Sequence, residues 1–372
     1  MLALLLYTHF LLIEGSPYKS ASGPGDTYNV TFLTTEAVAD GAVCLDGSPS
    51  AYYYNEGAET SKFYIHQEGG GWCGSDEDCL SRSKGDLGSS KAYPKTRVFN
   101  TGYFSSDPLI NPLMHNFSKI YLPYCDGGSQ TGDLTLPVNV KSSTIYYRGH
   151  RILRAMIPAL MNRMLKGATD VVISGCSAGG LSTYLHADEW GAALPGTKVV
   201  ALPDSGFFLD YNSSANGYSS SMRWVFDAMN STGGVPAACR AANPSDPALC
   251  IFAEHVAPTL KVPFFPMQSQ YDSWQIGNDL RNKDQAAINA YGLKLRGLVE
   301  KNLLATNTHN GVFLDACYHH CGDWGITIDG DSTAVAFQTW YNSLGTAGAK
   351  QEWVNRSSYP CASCCTIAPT DK

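Results

Sequence analysis

The chain has 372 residues, with 33 acidic and 26 basic side chains and a formal net charge of −7. No block of like charge stands out, which excludes a basic nucleic-acid surface. The length allows one large α/β domain or two average ones, in either case with a substantial core.

At the amino terminus, Leu2 to Ile13 is an apolar stretch of signal-peptide length, without the usual basic flank and too short to span a bilayer comfortably. We expect a signal peptide over residues 1–22, and no later segment approaches a membrane span. Twelve cysteines and five N-glycosylation sequons, at Asn29, Asn116, Asn212, Asn230 and Asn355, agree with a secreted chain whose cysteines form disulfides. Cys317-x-x-x-Cys321 encloses His319 and His320, and Cys361, Cys364 and Cys365 cluster near the end. Zinc sites need closed tetrahedral sets, and only one compact pair is present, so no metal is expected.

Strand-like runs alternate with helical ones. Phe63-Tyr64-Ile65 and Lys119–Leu122 read as strands. A helix from about Gly149 to Leu165 carries Ile152, Leu153, Met156, Ile157, Leu160, Met161 and Met164 at helical spacing, with Pro158 predicting a kink or early break. Then come strand Val171–Ser174, a helix from Ala178, strands Lys198–Leu202 and Pro263–Gln268, and an amphipathic helix near Asp284–Leu304. Strand Val312–Leu314 and a helix from Ser332 close the series. This alternation implies a mostly parallel sheet flanked by helices, in one domain over 23–372, with loop and helical insertions around 206–260 and a Cys-rich tail.

Between strand Val171–Ser174 and the helix from Ala178 lies Gly175-Cys176-Ser177-Ala178-Gly179-Gly180, the layout of a nucleophile elbow. Ser177 is the candidate nucleophile, and Cys176 within the turn is expected to be a buried free thiol. A serine hydroxyl needs a base, and the base needs an acid partner. In this architecture the chain order is Ser, acid, His. His319 and His320, just past the last strand, are the best-placed bases; His186, His255 and His309 are not. Asp272, one strand beyond Asp204, is favoured by position as the acid, with Asp204 as the competitor. Asp315 is too close in sequence to orient His320. An oxyanion hole would draw on the N–H of Ala178 and on a loop after an earlier strand. Gly69-Gly70-Gly71-Trp72-Cys73 occupies that place, and no Lys-Ser or Lys-Thr follows to make it a phosphate loop.

With these pieces assembled, the chain resembles the pectin acetylesterase family, which also includes the Wnt deacylase Notum. The resemblance runs through Glu68-Gly-Gly-Gly-Trp-Cys73, Tyr124-Cys-Asp-Gly127, Gly175-Cys-Ser-Ala-Gly-Gly180, Asp204-Ser-Gly206, Gln270-Tyr-Asp272 and Cys317-Tyr-His-His-Cys321. It implies an α/β-hydrolase-like fold and a Ser177–Asp272–His320 triad, with oxyanion donors from Gly70 or Gly71 and Ala178. It moves Asp204 from triad acid to the pocket floor, where Trp72, Phe207 and His319 are further pocket candidates. The implied reaction is removal of acetyl groups from an acetylated polysaccharide such as pectin, without cofactor. Two alternatives stand beside it. One is a Notum-like lipid or protein deacylase, with Phe207, Phe208, Phe264 and Phe265 lining a deep acyl pocket. The other is a catalytically inactive carbohydrate-binding relative.

Overall fold

The computed structural model describes residues 25–211, 217–322, 324–361 and 363–367. The expected signal peptide and the sequon at Asn212 lie outside these. Ten strands build one central sheet: β1 (Asp26–Phe32), β2 (Ala51–Asn55), β3 (Glu59–Gln67), β4 (Thr96–Phe99), β5 (Phe117–Leu122), β6 (Asp170–Cys176), β7 (Lys198–Asp204), β8 (Met267–Ser269), β9 (Val312–Asp315) and β10 (Glu352–Val354). Their spatial order is β10-β9-β8-β7-β6-β3-β5-β2-β1-β4. Every neighbouring pair from β10 to β5 is parallel, whereas β2, β1 and β4 add antiparallel strands at one edge. This is the mostly parallel α/β-hydrolase-like sheet expected, with an antiparallel margin that the local pattern did not announce.

Alternation along each central strand divides the core between the two faces of the sheet. Phe63, Ile65, Val171 and Ile173 pack on one face, while Tyr64 and Val172 pack on the other. The first face is covered by the helices Gly149–Leu160, Ala178–Ala193 and Gln285–Val299, and the second by Thr333–Ser343. The helix Ala178–Ala193 buries Tyr184, His186 and Trp190 as well as its sheet-facing residues, as an element packed on several sides must.

Differences from the sequence pattern have local causes. The helix from Gly149 passes through Pro158 but gives way at Met161 to a π turn over Met161–Leu165, close to where proline withholds its N–H. The run Pro263–Gln268 forms a strand only over Met267–Ser269, because Pro263 and Pro266 have no N–H for a ladder. Helix starts follow their caps: Asp284 Oδ1 accepts from Ala287 N at 2.9 Å, and Ser332 Oγ from Val335 N at 3.2 Å.

The chain runs from β3 to β5 on one side, then returns to place β6 on the other side of β3. The sheet therefore has its switch point beside β3, and in open α/β sheets the carboxyl ends of the strands at such a point are where ligands bind. The triple-glycine loop leaves β3 and the serine turn leaves β6, so both lie at the carboxyl ends of these two paired strands.

Candidate active site

Ser177 has φ 58° and ψ −120°, a conformation a side-chain-bearing residue keeps only when its surroundings enforce it. Its N–H donates to Asp204 O at 3.0 Å, and its carbonyl accepts from Leu181 N at 2.9 Å. The flanking glycines are required by close approach. A Cβ on Gly179 would lie 2.0 Å from Gln67 O, and one on Gly175 would lie 2.3 Å from Gly179 O. Ser177 thus projects from a turn with no slack, at the amino end of the helix Ala178–Ala193, whose dipole favours negative charge there.

Asp272 and His320 meet from two other loops. Asp272 is wholly buried; its Oδ1 accepts from Gln275 N at 2.9 Å, and its Oδ2 lies 2.8 Å from His320 Nδ1. An ionised carboxylate only accepts, so this bond assigns the ring proton to Nδ1 and leaves Nε2 as the basic nitrogen. Nε2 has no protein partner among the described residues. Burial pushes the imidazolium pKa down, but the Asp272 charge and hydrogen bond, with a smaller push from Asp204, outweigh it and raise it above the usual histidine value.

A disulfide between Cys176 and Cys321 sets the histidine loop against the serine turn. This corrects the expectation of a free thiol at Cys176: its neighbour in space lies 145 residues away in the chain, so no local signal announces it. No cysteine is free among the described residues. Cys317 pairs with Cys365, and Cys361 with Cys364.

Asp204 supports the same junction from beneath. Its backbone carbonyl holds Ser177, its Oδ2 accepts from Gly322 N at 2.9 Å, and Ser205 Oγ accepts from Cys321 N at 2.9 Å. It is fully buried, so its carboxylate braces the histidine loop. His319 turns to a different acid: its Nε2 lies 3.0 Å from Asp315 Oδ1. Asp315 is thus the partner of His319, and Asp272 the partner of His320.

The triple-glycine loop touches the serine turn directly. A Cβ on Gly69 would lie 2.4 Å from Cys176 O and 3.0 Å from Ser177 Cβ. Gly70 and Gly71 have φ values of 147° and 68°, which glycine alone adopts freely. Their N–H groups and that of Trp72 have no protein acceptor among the described residues.

A model of the pectinacetylesterase family matches residues 22–366. The chain belongs to this family. It is 32% identical to pectin acetylesterase 11 of Arabidopsis thaliana over 92% of this chain and 93% of that one. It is also 32% identical to pectin acetylesterase 7 of the same plant, over 84% and 87%. The human palmitoleoyl-protein carboxylesterase NOTUM is 28% identical over 81% of this chain and 64% of its own length. As a pectinacetylesterase family member the chain is a carboxylesterase.

For a member of a family whose relatives differ this much in acyl group, the walls beside the serine matter. Trp72 packs against Phe208, Tyr218 and Trp274 with ring centroids 5.0, 5.0 and 5.6 Å apart. The His320 ring lies 6.1 Å from Phe208 and 6.3 Å from Trp274. The other three phenylalanines considered for an acyl pocket lie elsewhere. Phe207 and Phe264 pack on Tyr184 at 5.7 and 5.1 Å, and Phe265 sits across the sheet against Phe337, Trp340 and Trp353. Phe207, fully buried, therefore belongs to the core. Sequence reasoning missed Tyr218 and Trp274, although Trp274 stands two residues after Asp272 and could have been weighed on that ground.

Proposed function

We propose that this carboxylesterase is an extracellular enzyme that removes acetyl groups from a cell-wall polysaccharide such as pectin, through an acetyl–Ser177 intermediate. The observation that carries the reading is the Asp272–His320 hydrogen bond, tied by the Cys176–Cys321 disulfide to a serine held at φ 58°. In this reading Ser177 Oγ attacks the acetyl carbonyl carbon while His320 Nε2 takes its proton. The carbonyl oxygen becomes an oxyanion, held by Ala178 N–H and the amides of Gly70 and Gly71. As the carbonyl re-forms, the sugar oxygen leaves with the proton from Nε2. Water then attacks the acetyl–serine and gives a proton to Nε2. Acetate departs, and the proton returns to Ser177 Oγ. Asp272 holds the ring in the required tautomer and stabilises its cation throughout. Six disulfides support an oxidising, extracellular compartment.

Support for a short acyl group comes from the phenylalanines weighed for a long acyl pocket: Phe207, Phe264 and Phe265 are fully buried in the core, and only Phe208 lies near the His320 ring. The test is acetate release across acetylated pectin and xylan, together with acetyl and long-chain nitrophenyl esters. Acetate release from pectin and faster cleavage of the acetyl ester are expected. Preference for the long-chain ester would move the chain to lipid removal.

Because His320 works as a base, only its neutral form is competent. Its pKa is raised, so kcat/KM should climb with pH along an acid limb lying above the unperturbed value of about 6.5. A pH profile with its half-maximum at or below that value would count against His320 as the base.

A further inference from the structure

Backbone amides catalyse only as well as their peptide planes are held. In a trans peptide the carbonyl of one residue and the N–H of the next point in opposite directions, so an anchor on the carbonyl aims the following amide. Three successive carbonyls of the glycine loop are anchored by side chains. Arg82, the last residue of the helix Asp76–Arg82, gives Nη1 to Gly70 O at 2.8 Å and Nη2 to Trp72 O at 3.2 Å. Between them, Tyr124 Oη donates to Gly71 O at 2.8 Å. The first anchor aims Gly71 N–H, and the Tyr124 anchor aims Trp72 N–H.

The start of the serine helix, whose first residue is Ala178, is tied to this loop through one hydroxyl. Trp72 Nε1 donates to Ser129 Oγ at 2.6 Å, and Ser129 Oγ donates to Ala178 O at 2.8 Å. Ser129 N–H in turn donates to Tyr124 Oη at 3.2 Å. Ser129 is fully buried and left-handed, with φ 51°, and Gln130 follows at φ 61°. Two consecutive side-chain-bearing residues in that region are unfavourable and need enforcement. Asp126 supplies it, its Oδ2 accepting from Gly128 N at 3.1 Å and Gln130 N at 2.9 Å. The segment from Tyr124 to Gln130 thus delivers a single buried hydroxyl to the point between the glycine loop and the start of the serine helix.

We propose that Arg82 and Ser129 are positioning residues of the oxyanion hole. Arg82 aims the Gly71 amide and braces the loop again at Trp72 O, and Ser129 fixes that loop relative to the start of the serine helix; neither touches the ester. The proposal rests on the acetyl–Ser177 reading above. Removing a direct oxyanion donor costs about 10²- to 10³-fold in kcat, so loosening the frame should cost about 10- to 100-fold.

The test compares R82K, R82A and S129A with the parent and S177A, in the full chain, on an acetyl nitrophenyl ester. R82A and S129A should lose about 10- to 100-fold in kcat with KM nearly unchanged, and should bind a boronic acid mimic of the tetrahedral intermediate correspondingly less well. Added guanidinium ion should restore part of the kcat of R82A, and R82K should fall between R82A and the parent. A purely architectural arginine would change the unfolding midpoint without the kcat-against-KM split or the rescue. Should R82A fail to fold, S129A, which removes one oxygen, decides. A kcat within twofold of the parent in S129A, or in a folded R82A, overturns the positioning roles. Undiminished activity in S177A overturns the serine reading instead, so the two failures are distinguishable.

Discussion

Replacing Ser177 with alanine is expected to lower ester hydrolysis by on the order of 10⁶-fold while leaving the fold intact. The backbone bonds that hold the turn, from Ser177 N–H to Asp204 O and from Leu181 N–H to Ser177 O, do not involve the hydroxyl. Alanine adopts the left-handed turn no less readily than serine, so the unfolding midpoint should barely move. The variant should also lose covalent labelling by a fluorophosphonate, which reacts with an activated serine. Some turnover above the uncatalysed rate should persist, because the glycine-loop amides and the helix start remain in place. Acetate release within a hundredfold of the parent would mean that another group attacks the ester.

The second large effect is expected at Asp272→Asn, on the order of 10⁴-fold in kcat. Asparagine matches the carboxylate in size and can still cap the turn by accepting from Gln275 N–H. Its amide group would then face His320 Nδ1 as a donor. That reverses the tautomer: Nδ1 must accept, the ring proton moves to Nε2, and the nitrogen needed as base is blocked. A further consequence has a definite sign. In the native protein the Asp272 charge outweighs the burial that disfavours the imidazolium. Without the charge, burial prevails and the His320 pKa falls. The residual activity of the asparagine variant should therefore have an acid limb at lower pH than the parent. A limb that stays in place while kcat collapses would assign the limb to a group other than His320.

Much of this site is legible in the chain because its parts obey local rules. The strand, glycine-flanked serine and helix at residues 170–193 follow from an apolar run and from turns that admit no Cβ. The glycine loop after β3 reads the same way, since Gly70 and Gly71 occupy positive φ. The parallel sheet follows from alternating strand-like and helix-like periods. Other features were silent for a common reason: they are agreements between residues far apart in sequence. Local spacing could not say that Cys176 bonds to Cys321, nor that the adjacent histidines 319 and 320 choose Asp315 and Asp272 respectively. Ser129 has no motif of its own; its hydroxyl matters only because the fold brings Trp72 and Ala178 to either side of it. By itself the sequence determined the type of strands and helices and the strand–turn–helix that presents Ser177, through backbone sterics and side-chain periodicity. Only the tertiary structure decided which acid meets which histidine and what braces the glycine loop, because hydrogen bonds and disulfides form between atoms that the chain path brings within reach, whatever their separation in sequence.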